Sequence, residues 1–232
     1  MKKCFTLLLI LVLIQSNYLS AQVSISGVIN DYTAVTDIVV SLCAPCDVNC
    51  RDSIVVSNPA AFNPGDRALI IQMKGAAINT ANSPAGGAIT AINNAGNYEF
   101  FEIESINGNV LIPRFQLVRD YTVSGLVQVV RIPDFGAQEV TINGLLQAQD
   151  WDISTATGGV LALSARRVVF NADINVIGAG FQGIQMPING QPDNCNINPN
   201  TQFTLPRTNI SSYIKGNSVV LDDPNTNRGR AP

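Results

Sequence analysis

Nine residues recur 28 positions apart, and this recurrence restricts the fold more than any other feature of the chain. Val140-Thr-Ile-Asn143-Gly-Leu-Leu146-Gln-Ala148 aligns without a gap with Val168-Val-Phe-Asn171-Ala-Asp-Ile174-Asn-Val176. Both copies have valine first, an apolar third residue, asparagine fourth and an aliphatic seventh. Between them, Gly158-Gly-Val-Leu-Ala-Leu-Ser164 reads as a further short strand introduced by two glycines. Short strands and Asn-containing corners at constant spacing predict the first coils of a parallel β-helix, over residues 136–184. The asparagine would turn the corner in the left-handed conformation, which it tolerates, and its amide would join a stacked ladder. An ordinary β-sandwich with a chance similarity is the competing assignment.

The region upstream, 22–135, has a different grammar. Short β-prone runs begin at Val23, Asp37 and Asp52, and Asn63-Pro-Gly-Asp66 supplies a turn in which Pro presets φ and Gly accepts its reversal. The run from Arg67 to Lys74 is apolar on both faces, as a buried strand is. Residues 75–97 read as a long loop. A hairpin follows, with Tyr98 to Glu104 and Val110 to Pro113 joined at Asn107-Gly108, a pair suited to a type I′ turn. The strand Gly125 to Ile132 closes this part. The whole predicts an all-β chain: a small antiparallel barrel or sandwich, then the β-helix coils.

The amino terminus points to export. Lys2 and Lys3 precede an apolar run from Phe5 to Ile14, and small residues follow up to Ala21. That order describes a cleaved signal peptide, residues 1–21, with cleavage after Ala21. The apolar run is shorter than the roughly 18–20 residues that span a bilayer, and no later segment is long and apolar enough to cross one. Removing it shifts the formal net charge from −3 to −5, since Lys2 and Lys3 leave without an acid. No basic patch exists to neutralise phosphates, so nucleic acid is not an expected partner.

The chain has no histidine. This excludes Ser-His and Cys-His nucleophile pairs, imidazole bases and His-ligated metals. Four cysteines remain after cleavage: Cys43, Cys46, Cys50 and Cys195. An even number of thiols in an exported chain predicts disulfides over a metal knuckle, with three pairings open.

Several stretches occur in an order seen elsewhere: Phe62-Asn-Pro-Gly-Asp-Arg-Ala-Leu-Ile-Ile-Gln-Met-Lys-Gly75, Gly96-Asn-Tyr-Glu-Phe100 and Val127-Gln-Val-Val-Arg-Ile-Pro133. Gly158-Gly-Val-Leu-Ala-Leu163 and Asn171-Ala-Asp-Ile-Asn-Val-Ile-Gly-Ala-Gly-Phe181 follow them. Together they resemble the amino-terminal region of large secreted gliding-motility-associated, adhesin-like surface proteins of bacteria. The resemblance implies type IX secretion, a cell-surface location and a longer protein, with surface carbohydrate or protein as partner. It brings no catalytic residues.

The residues themselves offer one constellation for chemistry, Asp150-Trp151-Asp152, in which two carboxylates beside an aromatic would suit a sugar. In a strand, however, the two acids share one face and Trp151 takes the other, so solvated turn acids beside a packed indole are the simpler expectation. Asp173, at the second repeat, is a third candidate acid. A carbohydrate-active β-helix enzyme, a lyase or hydrolase using Asp150, Asp152 or Asp173, is therefore the alternative to a non-catalytic surface module. No cofactor or metal is expected. Gly178-Ala-Gly180 lacks the third glycine of a dinucleotide loop, and Asp222, Asp223, Asn225 and Asn227 lack EF-hand spacing. The segment 185–232 is rich in Pro, Asn and Gly and reads as irregular, the truncated edge of a longer chain.

Overall fold

The computed structural model describes residues 23–41, 50–79, 81, 83–85, 87–181 and 218–220. Among these the chain forms strands β1 (Val23–Val28), β2 (Asp31–Val39), β3 (Ser53–Val56), β4 (Arg67–Gln72), β5 (Ala77–Ile78) and β6 (Ile89–Ala91). They are followed by β7 (Tyr98–Asn107), β8 (Val110–Pro113), β9 (Val127–Ile132), β10 (Glu139–Gln147), β11 (Arg167–Phe170) and β12 (Ile174–Asn175). The architecture is all-β, with an antiparallel barrel and the start of a parallel β-helix.

The barrel is closed, in the order β2-β3-β8-β7-β4-β9, with β9 returning to β2. Closure removes the edges that an open sheet of this size would expose. Its interior holds Val35, Ile54, Val56, Phe62, Ala68, Ile70, Ile103, Leu111, Val127 and Val129. Alternation along β4 and β9 sends Ala68, Ile70, Val127 and Val129 inward, while Leu69, Val130 and Ile132 point outward and are buried there by a second layer. This is why the run beginning at Arg67 is apolar on both faces.

Local chemistry sets the turns. In 63–66 the Asp66 N–H donates to the Asn63 carbonyl (3.1 Å), and Gly65 takes φ +89° as this turn requires. The hairpin between β7 and β8 departs from the expected type I′ turn at Asn107-Gly108. Asn107 pairs with Val110, so Gly108 and Asn109 are the central residues. Gly108 has φ +59° and Asn109 does not have positive φ, the type II′ arrangement with glycine first. The expected long loop at 75–97 instead carries the small β5–β6 ribbon.

The parallel stack contains β1, β10 and the pair β11–β12. Its register follows the 28-residue recurrence: Val140 faces Val168, Ile142 faces Phe170 and Leu146 faces Ile174. The strand on the other side of β10 is β1, with Val23 facing Val140, 117 residues away in sequence. The antiparallel unit expected over 22–135 therefore loses its first strand to the β-helix. The barrel is an excursion between the first coil and the second. Coil interiors hold Ile25, Val140, Ile142 and Leu146, with Leu161, Leu163 and Val168 packed against them.

At the corner, Asn171 Nδ2 donates to Asn143 Oδ1 (3.0 Å), and Asn143 Nδ2 donates to Ser24 Oγ (3.0 Å). The amide ladder is present, but neither asparagine has positive φ. Asn143 lies within β10 where its pairing with both neighbouring strands is interrupted, and it binds those neighbours without a left-handed backbone. Because the ladder is exposed, Asn143→Ala should cost about 0.5–1.5 kcal/mol, read as a lower urea midpoint at unchanged m-value.

The stretch 158–164, expected as a strand, forms no ladder among the described residues beyond a single bridge from Ser164 to Asp134. Side chains of the barrel replace the missing strand partners. Gln128 Nε2 donates to the Gly158 carbonyl and its Oε1 accepts the Gly158 N–H, both at 2.9 Å. Asn30 does the same for Ala162, at 2.7 and 3.0 Å, and the Tyr32 hydroxyl donates to the Val160 carbonyl. Alternation then divides the segment. Leu161 and Leu163 face the coil interior, whereas Val160 and Ala162 pack with Tyr32, Leu69, Ile71, Val130 and Ile132 of the barrel.

Cys50 is buried, with its Sγ 3.5 Å from the Ser41 carbonyl oxygen. Nearby Asp52, only 1% exposed, accepts the N–H groups of Ser41 (2.9 Å) and Leu117 (2.7 Å). Those bonds tie the end of the cysteine-rich stretch to the loop after β8. Cys43, Cys46 and Cys195 lie outside the described residues, as do the predicted signal peptide and Asp222, Asp223, Asn225 and Asn227.

Candidate functional site

The three candidate acids occupy two places on the β-helix coil. Asp150 and Asp152 follow β10, at the start of the link to 158–164, and both are exposed. Between them Trp151 is 7% exposed and packs edge-to-face on Phe181, with ring centroids 5.5 Å apart. The Trp151 N–H donates to the Ala179 carbonyl at 2.8 Å, which docks the next coil beneath the indole. Among the described residues, the buried Nε1–H of Trp151 has no hydrogen-bond partner. The ring is thus committed to packing and does not form an open platform beside the acids.

Asp152 opens a tight turn. Its N–H and C=O pair with those of Thr157, and its Oδ1 accepts the hydroxyl (2.6 Å) and the N–H (2.8 Å) of Ser154. Those donors, the hydroxyl first, hold its carboxyl below the ordinary carboxylate range. A carboxylate held ionised can accept a proton but is poorly placed to act as a general acid, which needs the opposite shift. Asp173 is also exposed and lies between β11 and β12, where its carbonyl accepts the Leu146 N–H (3.0 Å). No group of three or more His, Cys, Asp or Glu residues among those described is arranged to hold a metal ion.

Two features escaped the sequence reading. The first is an exposed aromatic pair on the barrel wall: Tyr98 and Phe100 of β7, 52% and 61% exposed, with rings edge-to-face at 6.2 Å. Alternation along β7 could have placed both on the outer face. The second is the carboxylate cradle of Glu99, which accepts the N–H groups of Val118 (2.9 Å) and Arg119 (3.1 Å) and the Tyr121 hydroxyl (3.0 Å). Burial first, and the Glu99 carboxylate second, push the Tyr121 phenol well above its usual value of 10.0. Its folded pKa exceeds its unfolded one, so its contribution is fully present below pH 10.0 and is lost as pH rises above that. Alkaline unfolding should therefore steepen above about pH 10, and Tyr121→Phe should flatten that limb. Urea midpoints of both proteins across the alkaline range provide the measurement.

No family model matches the chain, and no curated protein matches it. Two solved structures are similar over about half of it. The Gp54 tailspike of Acinetobacter baumannii bacteriophage AP22, in complex with A. baumannii capsular saccharide, is 14% identical. That match covers 50% of this chain and 19% of the tailspike, at a TM-score of 0.29. The Pseudomonas phage phi297 tailspike gp61 is 12% identical over 51% of this chain and 16% of its own, also at 0.29. The chain spans less than a fifth of either tailspike, and likeness at this level bears on neither ligand nor activity. No helix among the described residues is long and apolar enough to cross a membrane, which says nothing of strands.

Proposed function

We propose that this chain is a non-catalytic scaffold module of an exported, cell-surface protein, the front part of a longer gliding-associated, adhesin-like chain. The observation that carries the reading is the parallel stack held against a closed barrel. A stack of coils grows by repetition along one axis, so it suits an elongated carrier of carbohydrate or protein contacts. The amino-terminal signal pattern supports export, with cleavage after Ala21. Disulfides belong to the same reading, which rests on the even number of thiols left after cleavage in a chain read as exported. Type IX secretion comes from the resemblance of the motifs.

Purified protein on a glycan array, together with surface labelling of intact cells, tests the proposal. Binding to a surface glycan and labelling from outside are expected. Failure of both would remove it. The second reading, a polysaccharide lyase or hydrolase, draws on the exposed Asp150, Asp152 and Asp173. Turnover of polyuronides, with and without calcium, that collapses in Asp152→Asn would establish it instead.

A further inference from the structure

Ile-Asn-Gly occurs three times in the chain, at 106–108, 142–144 and 188–190, and the last copy lies outside the described residues. Asparagine before glycine carries its own reagent. The nitrogen of the following peptide bond attacks the side-chain Cγ, and glycine presents no Cβ to obstruct the approach. Closure needs Cβ and that nitrogen eclipsed about the Cα–C bond, which the extended backbone of a strand does not offer. The copies at 106–108 and 142–144 are the same triplet, so local sequence gives them the same intrinsic reactivity. Any difference between them is tertiary.

The fold treats the two differently. Asn143 lies inside β10, with β1 on one side and the pair β11–β12 on the other. Its amide is bonded at both atoms: Nδ2 donates to Ser24 Oγ and Oδ1 accepts from Asn171, each at 3.0 Å. Gly144 is packed so closely that a Cβ built on it would lie 2.9 Å from Cβ of Ser26. Closure at this site has to break the amide ladder and part β10 from its neighbours.

Asn107 is the last residue of β7, and both it and Gly108 are exposed. Among the described residues, no group bonds the Asn107 side-chain amide or takes the Gly108 N–H. A Cβ built on Gly108 would meet no heavy atom within 4 Å, so the space around the attacking nitrogen is open. Closure has to undo only the last pair of the hairpin, Asn107 with Val110. Such a tip opens at the low end of the free-energy scale, whereas a strand inside a packed stack opens near the global unfolding free energy.

We infer that Asn107 is a site of spontaneous deamidation and isoaspartate formation, left reactive by the fold while Asn143 is shielded. Hydroxide takes the Gly108 amide proton, and that nitrogen bonds to Asn107 Cγ. The Cγ–Nδ2 bond breaks, and the leaving nitrogen takes a proton from water and departs as ammonia. A cyclic imide remains. Water then opens it: attack at Cγ gives aspartate, and attack at the main-chain carbonyl gives isoaspartate, whose backbone runs through Cγ. Isoaspartate thus inserts an extra carbon into the chain directly before the turn. Val110 faces both Asn107 and Val55, and the Asn109 carbonyl accepts the Val56 N–H at 2.8 Å. Leu111, opposite Ile54, is fully buried. The product therefore loosens the seam between β8 and β3. This goes beyond the scaffold reading by giving the barrel an age-dependent weak point, and its test involves no glycan, so either can fail alone.

The experiment ages the full chain in mildly alkaline buffer, folded and in urea, and maps each asparagine by digestion and mass spectrometry. In the folded protein Asn107 should convert at least about tenfold faster than Asn143, a ratio set by the cost of local opening. In urea the two rates should agree within about twofold. Equal rates in the folded protein, or no conversion at Asn107, would overturn the inference, and so would a ratio that survives in urea. The isoaspartyl fraction should have a lower urea midpoint than unmodified protein, and faster amide exchange at Val110 and Leu111. Asn107→Gln should age without that loss of midpoint, which ties it to this residue and to no other asparagine. An isoaspartyl fraction with an unchanged midpoint, or a variant that ages as the parent does, would remove the weak point.

Discussion

Gly158→Ala should destabilise the protein by more than about 4 kcal/mol. Gly158 has φ +103°, a conformation that L side chains rarely adopt. A Cβ at this position would also lie 2.3 Å from the Asp150 carbonyl oxygen and 2.9 Å from its carbon. The obstruction is backbone, so no rotamer change relieves it. The Asp150 carbonyl cannot retreat freely either, because Trp151, the next residue, is pinned to Ala179 and packed edge-to-face on Phe181. Strain at one glycine is thus transmitted to the point where two coils meet. Urea unfolding of the variant against Gly180→Ala provides the measurement. Gly180 has no positive φ, and a Cβ added there would meet no heavy atom within 4 Å. Its substitution should stay within about 0.5 kcal/mol, as for a surface site. Similar midpoints for the two variants would show that the coil is not held at Gly158.

Gln128→Leu should be nearly as damaging. The side chain, on the second residue of β9, is fully buried, yet it serves as the strand partner that Gly158 otherwise lacks among the described residues. Leucine has a similar volume, so packing is roughly conserved and the loss is polar. The Gly158 N–H and C=O are both left without their bonds inside a contact that excludes water. At about 1–3 kcal/mol for each of the two orphaned groups, the expected cost is about 2–6 kcal/mol. The damage should also be local. Amide exchange at Gly158 and Ala162 should accelerate before that of the barrel strands, because Val35, Ile54, Ile70 and Ile103 do not depend on the coil for burial. Uniform acceleration throughout the chain would instead mean that barrel and coil unfold as one unit.

These two residues also show where sequence reasoning stops. A glutamine between valines looks like an exposed position on a strand. In the structure it is among the most deeply buried side chains, because its amide imitates a strand edge. The glycines at 158 and 159 suggest the start of a strand, but a strand needs a backbone partner and the barrel presents amide and hydroxyl side chains there instead. The candidate site was legible only as residues. Asp150, Trp151 and Asp152 alternate as the sequence implies, with acids outside and indole inside, but only the packing of Phe181 shows that the indole is taken.

What the sequence determined by itself was local or repetitive. The turn at 63–66 follows from Pro and Gly, and the β7–β8 hairpin from proximity along the chain. The coil register follows from recurrence, because stacking like residues on like at a constant offset repeats the same buried volume in each coil. The tertiary structure alone decided that β1 stacks on β10 across 117 residues. It alone decided, too, that the barrel closes between them and that the outward faces of β4 and β9 are buried against the coil. The physical reason is that a hydrophobic pattern specifies which side chains must leave water, since burial is favourable and non-directional. It does not specify which surface receives them. That choice is made by geometry, here the common spacing of strands in a barrel wall and in a coil stack.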